Sequence, residues 1–309
     1  GIDPKIIFDQ GFHSKTKTRE YLRILFKQFV QEWLIPNLKQ YQFDKVKLSY
    51  AEHPYVSAKY QGIDLDLVVC FDLSAEYLAK NGPITSVDRT PHHSRFIRDT
   101  LTTAQRNDVR LLKHFLKCHH CYGDKSPVGK SGFIGYSAEL LIGYFGSLES
   151  LFQNFKTLSL EPISIYHKNK KQSINPKNLS FQNFRNEFYP NDFLVILDPT
   201  DIKRNVGSSI SERAYWCIES KITEFLKNPS ISYFERKSLP KINEIPHINE
   251  ERKKYYYAEY HRAQEDHYTK FRDKLYSFLE YICRDAAKEL SLDPRFENVI
   301  GELLFDAEE

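Results

Sequence analysis

The sequence predicts an α+β protein, and three observations carry that prediction. An amphipathic stretch at residues 18–34 runs straight into three strand-like segments, KVKLSY, YVSAKY and IDLDLVVC, all rich in β-branched and aromatic residues. From residue 105 onward the pattern is mostly helical, with one short apolar run, FLVIL at 193–197. Helices and strands are therefore grouped rather than alternating, as in α+β architectures. The third observation is capacity. With 309 residues, 41% of them hydrophobic, and 22 Phe and 20 Tyr, the chain can fill two or three real cores.

Each element has a local reason. KIIF (5–8) reads as a short buried strand. Within 18–34, Tyr21, Leu22, Leu25, Phe26, Phe29, Val30 and Leu34 recur at helical spacing, and Pro36 predicts the stop. Gln61-Gly62, between the second and third strand-like segments, predicts a tight hairpin turn. Residues 105–117, 136–155 and 210–227 read as helices. In the first of these Val109, Leu112, Phe115 and Leu116 form an apolar stripe, with Arg110, Lys113 and Lys117 on the other side. FLVIL reads as a buried strand running into DPTD, and HKNKKQSINPKN (167–178) as a polar, basic loop. Two prolines mark 237–250 as a linker, followed by a long charged helix over 251–289 and an acidic tail.

Charge narrows the function classes. A net charge of +3 excludes a uniformly basic protein, so any nucleic-acid surface must come from local clusters among the 44 Lys and Arg. Candidates are Lys168, Lys170 and Lys171, the pair Lys203 and Arg204, and Arg252, Lys253 and Lys254 ahead of YYYAEYH. Tyrosines beside lysines suit single-stranded RNA, through stacking and phosphate contacts. A solvated helix face with some Tyr turned inward explains the 251–261 run equally well. No apolar run approaches a membrane span and no signal-peptide pattern opens the chain. Five scattered cysteines, an odd number, predict a reducing cytoplasm. The absence of Met and the opening at Gly1 predict a piece of a longer protein.

Two short motifs invite a metal reading. In IDLDLVVC, period two puts Asp64 and Asp66 on one strand face and Ile63, Leu65 and Leu67 on the other. Asp is depleted in strands, so the pair reads either as the solvated face of an edge strand or as a hard-cation site. Asp3, just ahead of KIIF, would complete such a site if the two strands lie side by side. Cys118-His119-His120-Cys121 could suggest a zinc knuckle, but no second pair exists to complete four ligands, and the intervening His make convergence on one ion implausible.

The phrases YAEHPYV (50–56), IDLDLVVC (63–70), SVDRTPHHSRF (86–96), VRLLKHFLK (109–117), FIGYSAELLIGYFGS (133–147) and DPTDIKRNV (198–206), in that order, resemble the archaeal-type (class I) tRNA nucleotidyltransferases, the CCA-adding enzymes. The resemblance runs from the first residues to about 235. It implies a polymerase-beta-like nucleotidyltransferase head (1–100), a helical neck (101–160) and an α/β body that grips tRNA (161–309, with C-terminal helices). It implies addition of C, C and A to tRNA from CTP and ATP, without a nucleic-acid template and with Mg²⁺ as cofactor. Asp66 and Asp3 map onto metal-holding catalytic carboxylates. Thr90, His93, Lys113 and Tyr122 map onto triphosphate and ribose contacts, Arg204 onto a residue facing the base, and His53 onto a weaker match. The family's first carboxylate position falls on Gly1, and its Gly-Ser phosphate cradle is absent from the sequence. An A-adding relative and an inactive tRNA-binding relative are the alternative expectations. The family also implies that homodimers form.

Overall fold

The computed structural model describes residues 15–50, 54–68, 70–123, 132–165, 177, 179–236, 238 and 268–288. It divides into two compact units, residues 1–100 with 200–202, and residues 101–199 with 203–309. KIIF and the Asp3 that precedes it, the loop over 167–176, the linker over 239–250 and the 251–267 part of the last helix lie outside the described residues.

In the first unit, helix α1 (Lys15–Phe29) continues through a π turn (Val30–Leu34) into α2 (Ile35–Gln40). The helix does not stop at Pro36, as the sequence suggested. The π turn ends just before Ile35, so Pro36 falls in the first turn of α2, where its missing N–H is not needed. Three antiparallel strands follow in the order β1-β2-β3: β1 Asp44–Tyr50, β2 Pro54–Tyr60 and β3 Ile63–Val68. Gln61 and Gly62 both take positive φ (48° and 82°), the two-residue turn that matches strand twist. The helices cover one sheet face, with Phe26, Val30, Leu38 and Val56 fully or nearly buried against Leu48 and Leu67. Phe29, at the margin of the helical stripe, stays partly exposed and stacks on Trp33 with ring centroids 5.2 Å apart.

After the sheet, α3 (Ala75–Asn81) is capped by Ser74 and closed by Gly82. A 3₁₀ turn (Ser86–Arg89) then leads into α4 (Thr90–Thr100). Neither helix is anticipated by the sequence reading. Phe71, Leu73, Leu78 and Ile84 form the small core around α3.

The second unit opens with α5 (Thr103–Cys118), started by the reciprocal capping box of Thr102 and Gln105. Its apolar stripe is buried as the spacing predicts, Arg110 and Lys117 are exposed, and Lys113 is half-buried. The helix expected over 136–155 is two: α6 (Gly135–Phe145) and α7 (Leu148–Gln153). Gly146 at φ 92° ends the first, and Ser147 caps the second by accepting from Ser150 N. Phe115 is fully buried and meets the rings of Phe152, Phe225 and Phe234 at 5.0, 6.5 and 5.4 Å.

Helix α8 (Phe181–Phe188) precedes the apolar run FLVIL. Leu194 to Leu197 are buried as expected, but only β4 (Leu197–Asp198) pairs as a strand, with β5 (Asp201–Asn205). Ile196 makes a single parallel bridge to Ile163, so burial here does not require a long ladder. Helices α9 (Glu212–Lys227) and α10 (Tyr268–Lys288) complete the described residues.

Candidate active site

Among the described residues strand β3 is a sheet edge, and Asp64 and Asp66 both lie on its exposed face. The neighbouring strand treats them differently. Asp64 sits 3.3 Å from the Nζ of Lys59, its cross-strand partner, with 86% of its side chain exposed. Asp66 pairs with Ser57, whose hydroxyl donates to Asp66 Oδ1 at 3.0 Å. The ammonium compensates the charge of Asp64, whereas the hydroxyl orients Asp66 and leaves its charge in place. Of the two, Asp66 is the better hard oxygen donor for a divalent cation. Among the described residues no group of three or more His, Cys, Asp or Glu converges to hold an ion. Asp3 and His53 lie outside the described residues.

The segment carrying Thr90 and His93 is fixed by a residue the sequence reading passed over. Asp88 is completely buried, and its carboxylate accepts four hydrogen bonds. Oδ1 takes Phe71 N (2.9 Å) and Thr85 Oγ (2.8 Å), and Oδ2 takes Ile84 N (3.0 Å) and Thr85 N (2.6 Å). This knots 71–88 into one piece immediately before Thr90 opens α4. His92 and His93 are helical residues of α4. His92 Nε2 lies 2.7 Å from Leu73 O, which anchors the helix to the preceding loop. His93, about 100° further round α4, is half-buried. Arg89 lays Nε and Nη2 on Asp201 Oδ2 at 2.9 and 2.8 Å, with both side chains mostly buried.

In the second unit, Lys113 and Tyr122 meet at the start of α6. A Cβ built at Gly135 would stand 3.2 Å from the Tyr122 hydroxyl and 3.4 Å from Lys113 Nζ. That helix start, at Ile134, has no side-chain cap. Lys113 Nζ is held 2.7 Å from Glu139 Oε1, each side chain a quarter exposed. Lys117 Nζ sits over the Tyr122 ring, 5.0 Å from its centroid. Tyr122 is located by backbone. Phe133 N donates to Cys121 O at 2.7 Å, and Gly123 N donates to Phe133 O at 2.9 Å. Gly132 makes that approach feasible, because a Cβ there would lie 2.3 Å from Cys121 O.

Arg204 Nη1 donates to Asp198 Oδ2 at 2.9 Å, and Asp198 is fully buried. The other oxygen, Oδ1, accepts from the Tyr136 hydroxyl at 3.1 Å. Next to Arg204, Asn205 is saturated. Its Oδ1 accepts from Ile196 N and Gly207 N, and its Nδ2 donates to Asp192 Oδ2 and Leu194 O. Asp88, Tyr136, Glu139, Asp198 and Asn205 all fall inside the motif phrases, yet their burial is invisible there. Only Asp88 leaves a local trace, the Thr85-x-x-Asp88 capping-box spacing.

The Cys-His-His-Cys run terminates α5. His119 is its C-cap and His120 takes φ 54°, turning the chain toward Tyr122. Its two sulfurs have separate partners. Cys118 Sγ is 3.6 Å from His114 Nε2, and Cys121 Sγ donates to His119 O at 3.2 Å. A hydrogen bond with Cys217, and then burial, push the Cys121 thiol well above the ordinary thiol range. Lys168, Lys170, Lys171, Lys253 and Lys254 lie outside the described residues.

Comparison with known proteins follows the same stretch of chain. Residues 107–235 match the family model described as tRNA nucleotidyltransferase, second domain. The CCA-adding enzyme of Pyrobaculum islandicum is 35% identical over 190 residues, 62% of this chain and 40% of that protein. That of Thermococcus gammatolerans is 33% identical over 207 residues, 65% and 42%. That of Thermoplasma volcanium is 31% identical over 243 residues, 77% and 46%. The chain thus spans less than half the length of these relatives. A solved cytoplasmic RNA terminal U-transferase superposes with a TM-score of 0.46 at 14% identity, covering 66% of this chain and 76% of that one, too loosely to argue from.

Proposed function

Because this chain is a relative of archaeal CCA-adding enzymes, with residues 107–235 matching a tRNA nucleotidyltransferase second domain, we propose that it adds CCA to the 3′ end of tRNA from CTP and ATP. One observation carries the reading. Lys113, Tyr122 and the uncapped start of α6 come together within the matched stretch, and Arg204 is tied by Asp198 to Tyr136 in the first turn of that helix. A cation, a phenol and a helix N-terminus are the chemistry a triphosphate needs, and an Arg fork supplies rigid donors for a base.

In this reading 1–100 is the nucleotidyltransferase head, 101–160 the neck and 161–309 the tRNA-binding body. Asp66 and Asp3 are the oxygen donors for divalent cations, with Mg²⁺ as the natural choice. Such ions, when bound, acidify the primer hydroxyl and stabilise the pyrophosphate leaving group. The chain's own residues do the positioning. Ser57 orients the Asp66 carboxylate, Thr90 and His93 contact the triphosphate from α4, Lys113 takes a phosphate, and Tyr122 faces the ribose. Lys168, Lys170, Lys171, Lys253 and Lys254 face the tRNA backbone. A cytoplasmic location and homodimer formation belong to the same reading.

The test is incubation with Mg²⁺, labelled CTP or ATP, and tRNA lacking its CCA end. Addition of two C and then one A is expected. A tails alone would replace the reading with an A-adding enzyme, and tight tRNA binding without addition would replace it with a binding module. Asp66→Ala is expected to abolish transfer while sparing tRNA binding, and undiminished transfer in that variant would remove Asp66 from the metal site.

A further inference from the structure

We propose that Asp198 is a positioning residue that couples the triphosphate contacts to the choice of base. This inference rests on the reading of Arg204 as the residue that faces the incoming base. Asp198 is fully buried, and both of its oxygens are engaged. The partners of the two oxygens belong to different parts of the unit. Arg204 lies on β5, in the same short hairpin as Asp198, and its side chain is 30% exposed. Tyr136 is the second residue of α6, directly after the glycine where Lys113 Nζ and the Tyr122 hydroxyl meet.

One carboxylate therefore sets two things together. It holds the Nη1 edge of the Arg204 guanidinium, and with it the direction of the donors that a base would meet. It also holds the first turn of α6, whose N–H groups and neighbouring Lys113 would meet the phosphates. A guanidinium held on one edge by a buried charge can distinguish two bases only as sharply as that edge is fixed. Cytosine and adenine differ in where their acceptors lie, so a loosened fork accepts both. Glu139 is engaged with Lys113, and Asn205 saturates the backbone on the far side of Arg204, so neither duplicates the role of Asp198.

The experiment measures ATP and CTP binding to the full chain in complex with tRNA ending in CC, by titration calorimetry, together with the rate of A and C addition. Asp198→Asn keeps the shape and removes the charge. It is expected to reduce the preference for ATP over CTP about tenfold, with the tRNA dissociation constant unchanged. Arg204→Ala is expected to reduce the preference at least as much, and adding Asp198→Asn to it should change the preference no further. Tyr136→Phe, which leaves Arg204 and the carboxylate in place, is expected to give a smaller loss in the same direction. It keeps the inference testable if Asp198→Asn does not fold. A preference lost in Arg204→Ala but intact in Asp198→Asn, or intact in Tyr136→Phe where Asp198→Asn does not fold, overturns the positioning role alone. A preference intact in Arg204→Ala overturns the base-facing role of Arg204 and this inference with it.

Discussion

Replacing Asp88 by Asn changes one oxygen to an NH₂ group inside a cage built for acceptors. Oδ2 receives two backbone N–H groups, from Ile84 and Thr85, and neither can reverse its polarity. The amide therefore keeps its oxygen there and presents NH₂ where Oδ1 stood. The Thr85 hydroxyl can turn round and accept from it, but Phe71 N cannot. Phe71 is 2% exposed, so water does not replace the lost acceptor. One buried N–H left unpaired costs about 1–3 kcal/mol, and the remaining bonds lose the strength that a charged acceptor lends them. A total of about 2–4 kcal/mol is expected, and more for Asp88→Ala, which strands all four donors. Urea unfolding of parent and variant measures the difference, and hydrogen exchange locates it at the Phe71 amide. A variant that unfolds within about 1 kcal/mol of the parent, with Phe71 still protected, refutes this role of Asp88. Since Thr90 and His93 follow directly, weaker triphosphate binding should accompany the loss.

Gly132→Ala should destabilise the second unit by about 2–4 kcal/mol, because the clash is with the backbone of Cys121 and breaks the two hydrogen bonds that place Tyr122. A shift in the unfolding midpoint together with a raised KM for nucleotide checks it. Cys121, with its thiol protonation favoured in the fold, should resist iodoacetamide at pH 8 in the folded chain and react once urea is added. A thiol whose pKa is higher folded than unfolded contributes its full stability below about pH 8.5 and progressively less above it. The urea midpoint should fall through that alkaline range, and fall less steeply in Cys121→Ala.

What is legible in the sequence is what short-range geometry determines. Period two in IDLDLVVC and the Gln61-Gly62 turn predict β3 and its hairpin, and the stripe of α5 predicts the buried Phe115 face. Pro36 misleads because a π turn upstream makes its position a helix start, and a π turn leaves no period to read. The break between α6 and α7 is present locally as Gly146-Ser147, but an unbroken apolar pattern overrides it. For the candidate site the phrases supply Asp66, Lys113, Tyr122 and Arg204, while their supports are polar residues whose partners lie far along the chain. Tyr136 and Asp198 are 62 positions apart, Lys113 and Glu139 are 26, and Phe71 and Asp88 are 17. Polarity alone would assign each of them to the surface.

The fork between Arg89 and Asp201 has a consequence for how the chain is made and divided. The first unit is discontinuous: residues 1–100 are completed by 200–202, which emerge from the ribosome only after residues 101–199. Arg89 must wait for its carboxylate through the synthesis of nearly half of another unit. A gene cut after residue 100 would encode the sheet and its helices without the acid that Arg89 holds. A fragment meant to fold like the first unit therefore needs the DPTD turn as well as the first hundred residues.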